Sequence, residues 1–239
     1  MKKILRNIVD KLGVSIFSHR QLPIGTDYRK TLRRMFPPEE IEVVFDVGAN
    51  MGQFCIHCNE IFKNSQIYSF EPVNRTYEIL TERTKRIKNI SCFNFAFGEK
   101  EGSAEIFLQE LTWMNSLNKN LNVPTGKDQK TQKVQINTID SFAKSKNINS
   151  IDFLKIDTEG FDLDVLKGAV GLLEERKIKF IFVEVSFNER NNQNSSFDSI
   201  NSFLRKYNFE IHGFYNQSIH DKSHYMDYCD ALFFLQPNS

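Results

Sequence analysis

A glycine turn in this chain has the composition of a binding site for a charged small molecule. Residues 46–52 read DVGANMG and stand between a short apolar run and a helical stretch, the position of the ligand crevice in an open α/β sheet. A dinucleotide site would read Gly-x-Gly-x-x-Gly, whereas this turn reads Gly-x-x-x-Gly. The carboxylate of Asp46 suits an ammonium group, and the helix start near Gly52 and Gln53 suits a carboxylate. S-adenosylmethionine carries both groups and no phosphate, so we predict that it binds here; a purely structural turn is the simpler alternative.

A second acid and a polar strand end extend the predicted site. Glu71 ends the second apolar run, about 20 residues after Gly52, which matches the step to the acid that holds ribose hydroxyls. Pro72 stops this strand and holds the carboxylate at the crevice. After the third apolar run, Asn94 is expected to hydrogen-bond an adenine and Ala96 to leave room for its ring. An ordinary surface acid at Glu71 is the simpler alternative.

Two carboxylates follow the fourth apolar run, where reaction chemistry is expected. Methyl transfer is an in-line displacement at a sulfonium carbon, so an enzyme must align the acceptor and take a proton from an alcohol. Asp157 or Glu159 is the candidate base, and Asp157 is alternatively a partner of the cofactor ammonium. With Glu184 at the next strand end, the pair also suits Mg²⁺, although clustered acids at strand ends are common without a metal. An acid stabilised by the dipole at a helix N-terminus is the simpler interpretation of Glu159.

Histidines near the end of the chain supply a further candidate base. His212 lies in the sixth predicted core strand, and His220 and His224 lie in the loop after it. An imidazole titrates near neutral pH and therefore suits proton transfer. A packing or surface role is the simpler interpretation of each histidine.

The elements that position these residues alternate between strands and helices. Apolar runs predict five parallel strands, at 43–47, 67–70, 90–96, 153–156 and 180–185. Helical patterns separate them, as expected for a sheet covered on both faces. Two further strands, at 209–214 and 231–235, are joined by a loop too short for a crossover helix and should pair antiparallel. The predicted fold is therefore a doubly wound α/β domain.

The remaining segments are assigned to a flank and a loop. Residues 1–40 are predicted to be an N-terminal helical flank, and 41–239 the main domain. Residues 1–17 form an amphipathic pattern, which packs on the domain or lies on a membrane surface. Residues 105–108 predict an extra strand, and 109–133 a polar excursion of the kind that is often functional.

The composition argues against several classes of protein. With 31 Lys and Arg against 30 Asp and Glu, no global field would attract nucleic acid. No run approaches the ~18 apolar residues that span a bilayer, and charges interrupt the N-terminal run that a signal peptide needs. We therefore expect a soluble, cytoplasmic protein. Cys55 and Cys58 form a lone C-x-x-C, which without a second pair for zinc indicates packing.

Together, the four strand-end motifs resemble the FkbM family of methyltransferases. The resemblance covers about residues 42–185 and rests on VFDVGANMG at 44–52, FEP at 70–72, NFAFG at 94–98 and FLKIDTEG at 153–160. It implies a Rossmann-like class I methyltransferase sheet, with Asp157 and Glu159 facing the reaction centre. It also implies cofactor contacts at Asp46, Gly48, Asn50, Gly52 and Glu71.

The resemblance further implies an O-methyltransferase, since members often act on sugar hydroxyls of polysaccharides or on natural products. Trp113, the 109–133 loop and the polar loop near 191 are the expected acceptor contacts, because an aromatic face stacks on a sugar ring. Two alternatives stay open. A nicotinamide-dependent oxidoreductase is disfavoured by the missing middle glycine and the antiparallel end. A non-catalytic partner subunit that binds S-adenosylmethionine is disfavoured by the intact acids.

Overall fold

In the computed structural model of this protein, residues 23–35, 37, 40–108, 130–188, 194–219 and 224–237 are described. The strands are β1 (Val43–Val47), β2 (Gln66–Phe70), β3 (Ile90–Phe93), β4 (Ala96–Phe97), β5 (Gly102–Phe107), β6 (Thr131–Asn137), β7 (Ile151–Ile156), β8 (Ile178–Ser186), β9 (Phe209–Ile219) and β10 (Met226–Leu235). The helices are α1 (Tyr28–Met35), α2 (Gln53–Ile61), α3 (Asn74–Thr84), α4 (Ile139–Ser145), α5 (Asp162–Lys167), α6 (Val170–Glu174) and α7 (Phe197–Arg205).

A seven-stranded sheet in the order β3-β2-β1-β7-β8-β10-β9 forms the centre of the fold. The first five strands of this order pair in parallel, and β10 pairs antiparallel with both β8 and β9. The predicted doubly wound α/β class, with five parallel strands and an antiparallel final pair, is confirmed. Because β1 lies between β2 and β7, the carboxyl ends of these three strands meet at one edge of the sheet.

The predicted strand 90–96 is in fact two strands in two different sheets. Phe93 is the last residue of β3 to pair with β2, and Ala96 then pairs with Ile136 of β6. β4, β6 and β5 form a separate three-stranded sheet. The prediction missed β6, whose start had been assigned to the polar excursion 109–133. A strand with one exposed face alternates polar and apolar residues, and TQKVQIN does so only weakly.

The helix predicted over 163–177 is interrupted at Gly168. A Cβ at this position would lie 2.2 Å from the carbonyl oxygen of Gly98, so the helix surface has to be bare where the chain after β4 crosses it. α6 starts again two residues later, and the Asp140 carboxylate accepts hydrogen bonds from the amides of Gly171 and Leu172 in its first turn. The break therefore lets the chain after β4 of the small sheet pack closely on the helices that follow β7 of the large sheet.

Both faces of the large sheet are buried. On one face, Phe45, Phe70 and Phe142 are part of a cluster of packed rings, with Phe70 and Phe142 perpendicular at 4.9 Å. On the other face, α1 packs through Leu32, which is fully buried. Cys55 and Cys58 are buried on that face, as predicted for packing residues. Of the described helices, none is long and apolar enough to cross a membrane.

Several predictions concern residues outside the described ranges. These are the amphipathic helix within 1–17, Trp113 with most of the 109–133 excursion, His220, and the centre of the polar loop near 191.

Candidate functional site

The carboxyl ends of β1, β2 and β7 open into a crevice of about 740 Å³, which we call the first crevice. This volume includes the open mouth of the crevice. Its lining includes several residues that the motifs had singled out: Gly48, Asn50, Glu71, Pro72, Ala96, Asp157 and Glu159. The structure therefore brings together residues from four of the predicted strand ends.

The turn after β1 is shaped by a glycine that no other residue can replace without strain. Gly48 has φ 74°, and a Cβ there would lie 1.8 Å from the carbonyl oxygen of Asp157. The amides of Gly48 and Ala49 both donate to the carbonyl oxygen of Phe70, at 3.0 and 2.9 Å. The turn is thus held against the ends of both neighbouring strands.

The carboxylate of Glu71 is fixed by backbone amides at the bottom of the first crevice. Oε2 accepts from the amide of Asn50 at 3.0 Å, and Oε1 accepts from the amide of Val73 at 2.9 Å. Burial raises the pKa of Glu71 to about 7, and the two hydrogen bonds oppose that rise. Each oxygen keeps further acceptor capacity, so the group can still bind hydroxyls.

Asp46 lies behind the site and contacts it through a lysine. Its side chain is fully buried, and its Oδ1 lies 3.4 Å from Nζ of Lys155. The same ammonium lies 3.2 Å from Oδ2 of Asp157 and donates to the carbonyl oxygen of Gly48 at 3.0 Å. Burial alone would lower the pKa of Lys155, but the carboxylates of Asp157 and Asp46 raise it, so the lysine stays charged. The ammonium of Lys155 therefore lies beside Asp46, where the sequence had predicted the ammonium group of a ligand.

A second crevice, also of about 740 Å³, adjoins the first. The two share Gly48, Asn50 and Asp157 as a common wall. The rest of the second crevice comes from distant parts of the chain and includes Tyr28, Gln53, Phe54, His57, Lys155, Phe182, Asn216 and Asp230. Asp157 is therefore accessible from both sides.

Carboxyl groups are concentrated around the carboxyl ends of β7 and β8 and the first half of the antiparallel β10. Burial, followed by the charge of Asp157, raises the pKa of Glu159 to about 8 and that of Glu184 to about 10. Burial raises the pKa of Asp230 to about 6, against a hydrogen bond from Asn216. Glu159 also has a φ of 53°, a strained conformation of the kind that occurs at functional sites.

A buried aspartate anchors the loop that carries Glu159. Asp162 accepts from the amide and the hydroxyl of Thr158 at 2.9 and 3.0 Å, and from the hydroxyl of Ser195 at 2.9 Å. The loop after β7 is thus tied to the segment before α7. Across the part of the chain that the structure describes, no three His, Cys, Asp or Glu side chains are grouped as metal ligands, so the Mg²⁺ expectation gains no support.

Three predicted cofactor contacts have other or additional roles. Gly52 packs between helices, since a Cβ there would lie 2.8 Å from Leu80 Cδ1. Asn94 directs its amide at the carbonyl oxygens of Glu71 and Pro72, at 3.0 and 3.1 Å, and so braces the end of β2. Gln53 lies at the start of α2 and lines the second crevice.

The structure places His212 away from both crevices, which argues against its predicted role as a base. It lies within β9, beside the ring of Phe234 at 6.3 Å. Burial and the charge of Arg34 lower its pKa. The antiparallel register explains the displacement, because the part of β9 at the crevice edge begins near Tyr215, which pairs with Asp230.

The residues that sequence reasoning missed line the second crevice. Lys155 had a detectable signal, since it is a single cation in a strand that is otherwise apolar apart from Asp152 near its start. Tyr28, Asn216 and Asp230 belong to no local motif. They meet only because α1 and β10 are placed next to β8 by the tertiary fold.

A doubly wound sheet with a glycine turn and acids at adjacent strand ends defines a Rossmann-like small-molecule-binding fold. The family model of the methyltransferase FkbM domain matches residues 46–211. The chain belongs to this family.

Individual relatives agree with this assignment. The chain is 28% identical over 149 residues to hexuronic acid methyltransferase AglP of Haloferax volcanii, a match that covers 62% of this chain and 57% of the relative. It is 25% identical over 185 residues to Methyltransferase 1 of Beauveria bassiana, covering 69% and 71% of the two chains. The solved structure of methyltransferase FkbM from Methylobacillus flagellatus KT superposes with a TM-score of 0.53 at 18% identity, over 81% of this chain and 43% of that one. The chain thus spans about half the length of two of these relatives.

Proposed function

We propose that the protein is an S-adenosylmethionine-dependent O-methyltransferase that acts on a hydroxyl group of a sugar, in a glycan or a natural product. The observation that carries this proposal is the buried Glu71 carboxylate, which two backbone amides aim at the bottom of the first crevice. A fixed acceptor for hydroxyls at the end of the second strand is what a ribose requires.

The first crevice also fits the rest of the cofactor. Phe95 and Ala96 line the side on which an adenine would lie against apolar groups. Among the described residues, Asn50 Oδ1 is buried without a hydrogen-bond partner, so a ligand donor is needed to satisfy it. Gln53, at the start of α2 on the second-crevice side of the shared wall, is the proposed contact of the methionine carboxylate. In this arrangement Glu71, Asn50, Gly48 and Ala96 bind the cofactor directly, and Asp46 and Gly52 support the turn.

The reaction is proposed to take place at the wall that the two crevices share. The bound cofactor supplies an activated methyl group on sulfur. Asp157, held by Lys155 at 3.2 Å, is the proposed partner of the cofactor ammonium. Glu159 is the proposed general base, because a carboxylate whose pKa is raised to about 8 holds the acceptor's proton better than an ordinary one.

The proposed sugar acceptor is supported by the name of one relative, the hexuronic acid methyltransferase of Haloferax volcanii. A second support is the combination of aromatic and hydrogen-bonding side chains in the second crevice.

The test is calorimetric titration of the protein with S-adenosylhomocysteine, the demethylated cofactor. We expect micromolar binding, about −8 kcal/mol. Glu71→Gln removes a charged acceptor that the ribose hydroxyls need, and should weaken binding about 10- to 100-fold. Glu105→Gln makes the same change on the exposed face of β5 and serves as the control.

Two results would overturn the proposal. One is the absence of binding heat together with an unmoved melting temperature. The other is stabilisation of the fold by NAD instead of S-adenosylhomocysteine, which would favour an oxidoreductase. Unchanged affinity in Glu71→Gln would remove the proposed ribose site while leaving cofactor use intact.

A further inference from the structure

The second crevice is lined in part by Tyr28, Phe182, Asn216 and Asp230, which come from distant parts of the chain. We propose that these four residues are the binding subsite for the acceptor sugar and that they select neutral sugars over uronic acids. This inference rests on the proposed function, and it specifies which class of sugar the site takes.

The four side chains are held together by contacts within the fold. The rings of Tyr28 and Phe182 lie 5.0 Å apart, and both line the crevice. Asn216 donates its amide to Oδ2 of Asp230 at 2.6 Å. Asp230 in turn lies between Glu184 of β8 and Tyr215 of β9 in the sheet register. An aromatic surface and a carboxylate–amide pair therefore face the same space.

This combination matches the chemistry of a sugar ring. Each ring hydroxyl is both a donor and an acceptor, and a carboxylate beside an amide offers acceptors and a donor at adjacent positions. The C–H groups of a pyranose form an apolar face, which packs on aromatic rings. Asp157 lines the same crevice as these four residues, and in the proposed arrangement a hydroxyl of the bound sugar is directed towards this reaction wall.

The charged side chains that line the second crevice favour neutral sugars over uronic acids. Among its described lining residues, Lys155 alone is a lysine or arginine, and its ammonium is already shared between Asp46 and Asp157. Asp230 has Asn216 as its hydrogen-bond donor, and this donor is neutral. A uronic acid would bring one more carboxylate into this partly buried space, where like charges repel more strongly than in water.

The test uses pairs of methyl glycosides that differ in charge at one position. Saturation-transfer NMR on the full chain with saturating S-adenosylhomocysteine compares methyl glucoside with methyl glucuronide, and methyl galactoside with methyl galacturonide. The spectra are recorded at pH 8, above the pKa of about 6 to which burial raises Asp230, so that this carboxyl group is charged. We expect the neutral member of at least one pair to bind at least about tenfold more tightly than its uronide.

Three variants make the test specific to Asp230. Asp230→Asn keeps the shape of the side chain and removes its charge. It should therefore lower the ratio of neutral-glycoside affinity to uronide affinity about tenfold. Asn216→Asp adds a charge at an exposed position and should widen the preference, which tests the idea even if Asp230→Asn does not fold. Asp198→Asn removes an exposed charge outside both crevices and should leave the preference unchanged.

The outcomes separate this inference from the function on which it rests. Uronides that bind as well as neutral glycosides, or a preference that neither Asp230→Asn nor Asn216→Asp alters, would overturn it. So would binding of S-adenosylhomocysteine without binding of any glycoside, a result that leaves the methyltransferase proposal standing. Absence of S-adenosylhomocysteine binding would instead contradict the proposed function, and with it this inference.

Discussion

The two crevices share a wall but are built in different ways. The first takes its lining from strand ends between residues 47 and 161, and its acid, Glu71, is held by main-chain amides. The second combines Tyr28 near one end of the chain with Asp230 near the other, and its carboxylates Asp157 and Asp230 contact other side chains, those of Lys155 and Asn216. Main-chain amides are present whatever the side chains, whereas side-chain partners change with one substitution. We infer that the first crevice serves a fixed cofactor and the second a variable acceptor.

The largest expected effect falls on the wall between the two crevices. Glu159→Gln removes the proposed base and should lower the rate of methyl transfer about 10²- to 10⁴-fold, with S-adenosylhomocysteine affinity within about threefold of wild type. The active form of Glu159 is the carboxylate, and burial raises its pKa to about 8, so wild-type activity should rise as the pH rises through that value. A pH profile of kcat/KM measures this rise, which Glu159→Gln should abolish. Equal rates in the two proteins would show that Glu159 is not the base and would leave Asp157 as the candidate.

A second prediction concerns the buried cation that both crevices depend on. Lys155→Met leaves Asp46 buried without its partner and should lower the free energy of unfolding by about 3–5 kcal/mol. Urea denaturation measures the loss. The double variant Asp46→Asn with Lys155→Met removes both charges and should recover part of the stability. A single variant as stable as the wild type would show that the pair is not needed for the fold.

A third, smaller effect tests how the loop after β7, which carries Glu159, is anchored. Ser195→Ala removes one of three hydrogen bonds to the buried Asp162 and should cost about 1–2 kcal/mol of stability. Ser199→Ala, on the exposed side of α7, is the matched control. If the two variants melt at the same temperature, the loop after β7 does not depend on the segment before α7.

The smallest expected effect is at His212, which lines neither crevice. His212→Asn should leave kcat/KM and its pH profile unchanged within about twofold, because the side chain lines neither crevice. If the variant lost a pH-dependent rise or fall of kcat/KM that the wild type shows, His212 would take part in the reaction, which would contradict its position in the structure.

The comparison also explains which features were predictable from sequence. The strands that line the first crevice are continuous apolar runs followed by motifs, and the residues of each motif are neighbours in the chain. Glu71 and Ala96 therefore both line the first crevice, and their predicted cofactor contacts stay predictions. Asn94 was in the right place, but its amide direction depends on the carbonyl groups of Glu71 and Pro72, which no sequence pattern encodes.

The second crevice was not predictable in the same way. Asp230 reaches it because β10 runs antiparallel between β8 and β9, and the position of one strand relative to another depends on long-range pairing. The small sheet was missed for a similar reason: β6 exposes alternate residues, and it is stabilised by pairing with β4 and β5 rather than by its own pattern.

The central place of β10 also sets an order of assembly. A ribosome releases residues 46–161 first, so the strands and turns around the first crevice can pair before the remainder of the chain exists. β8 and β9, by contrast, have no native hydrogen bonds to each other and must wait for residues 226–235, which enter between them. Because Asp230 arrives on that strand, the proposed cofactor site can form before the proposed acceptor subsite.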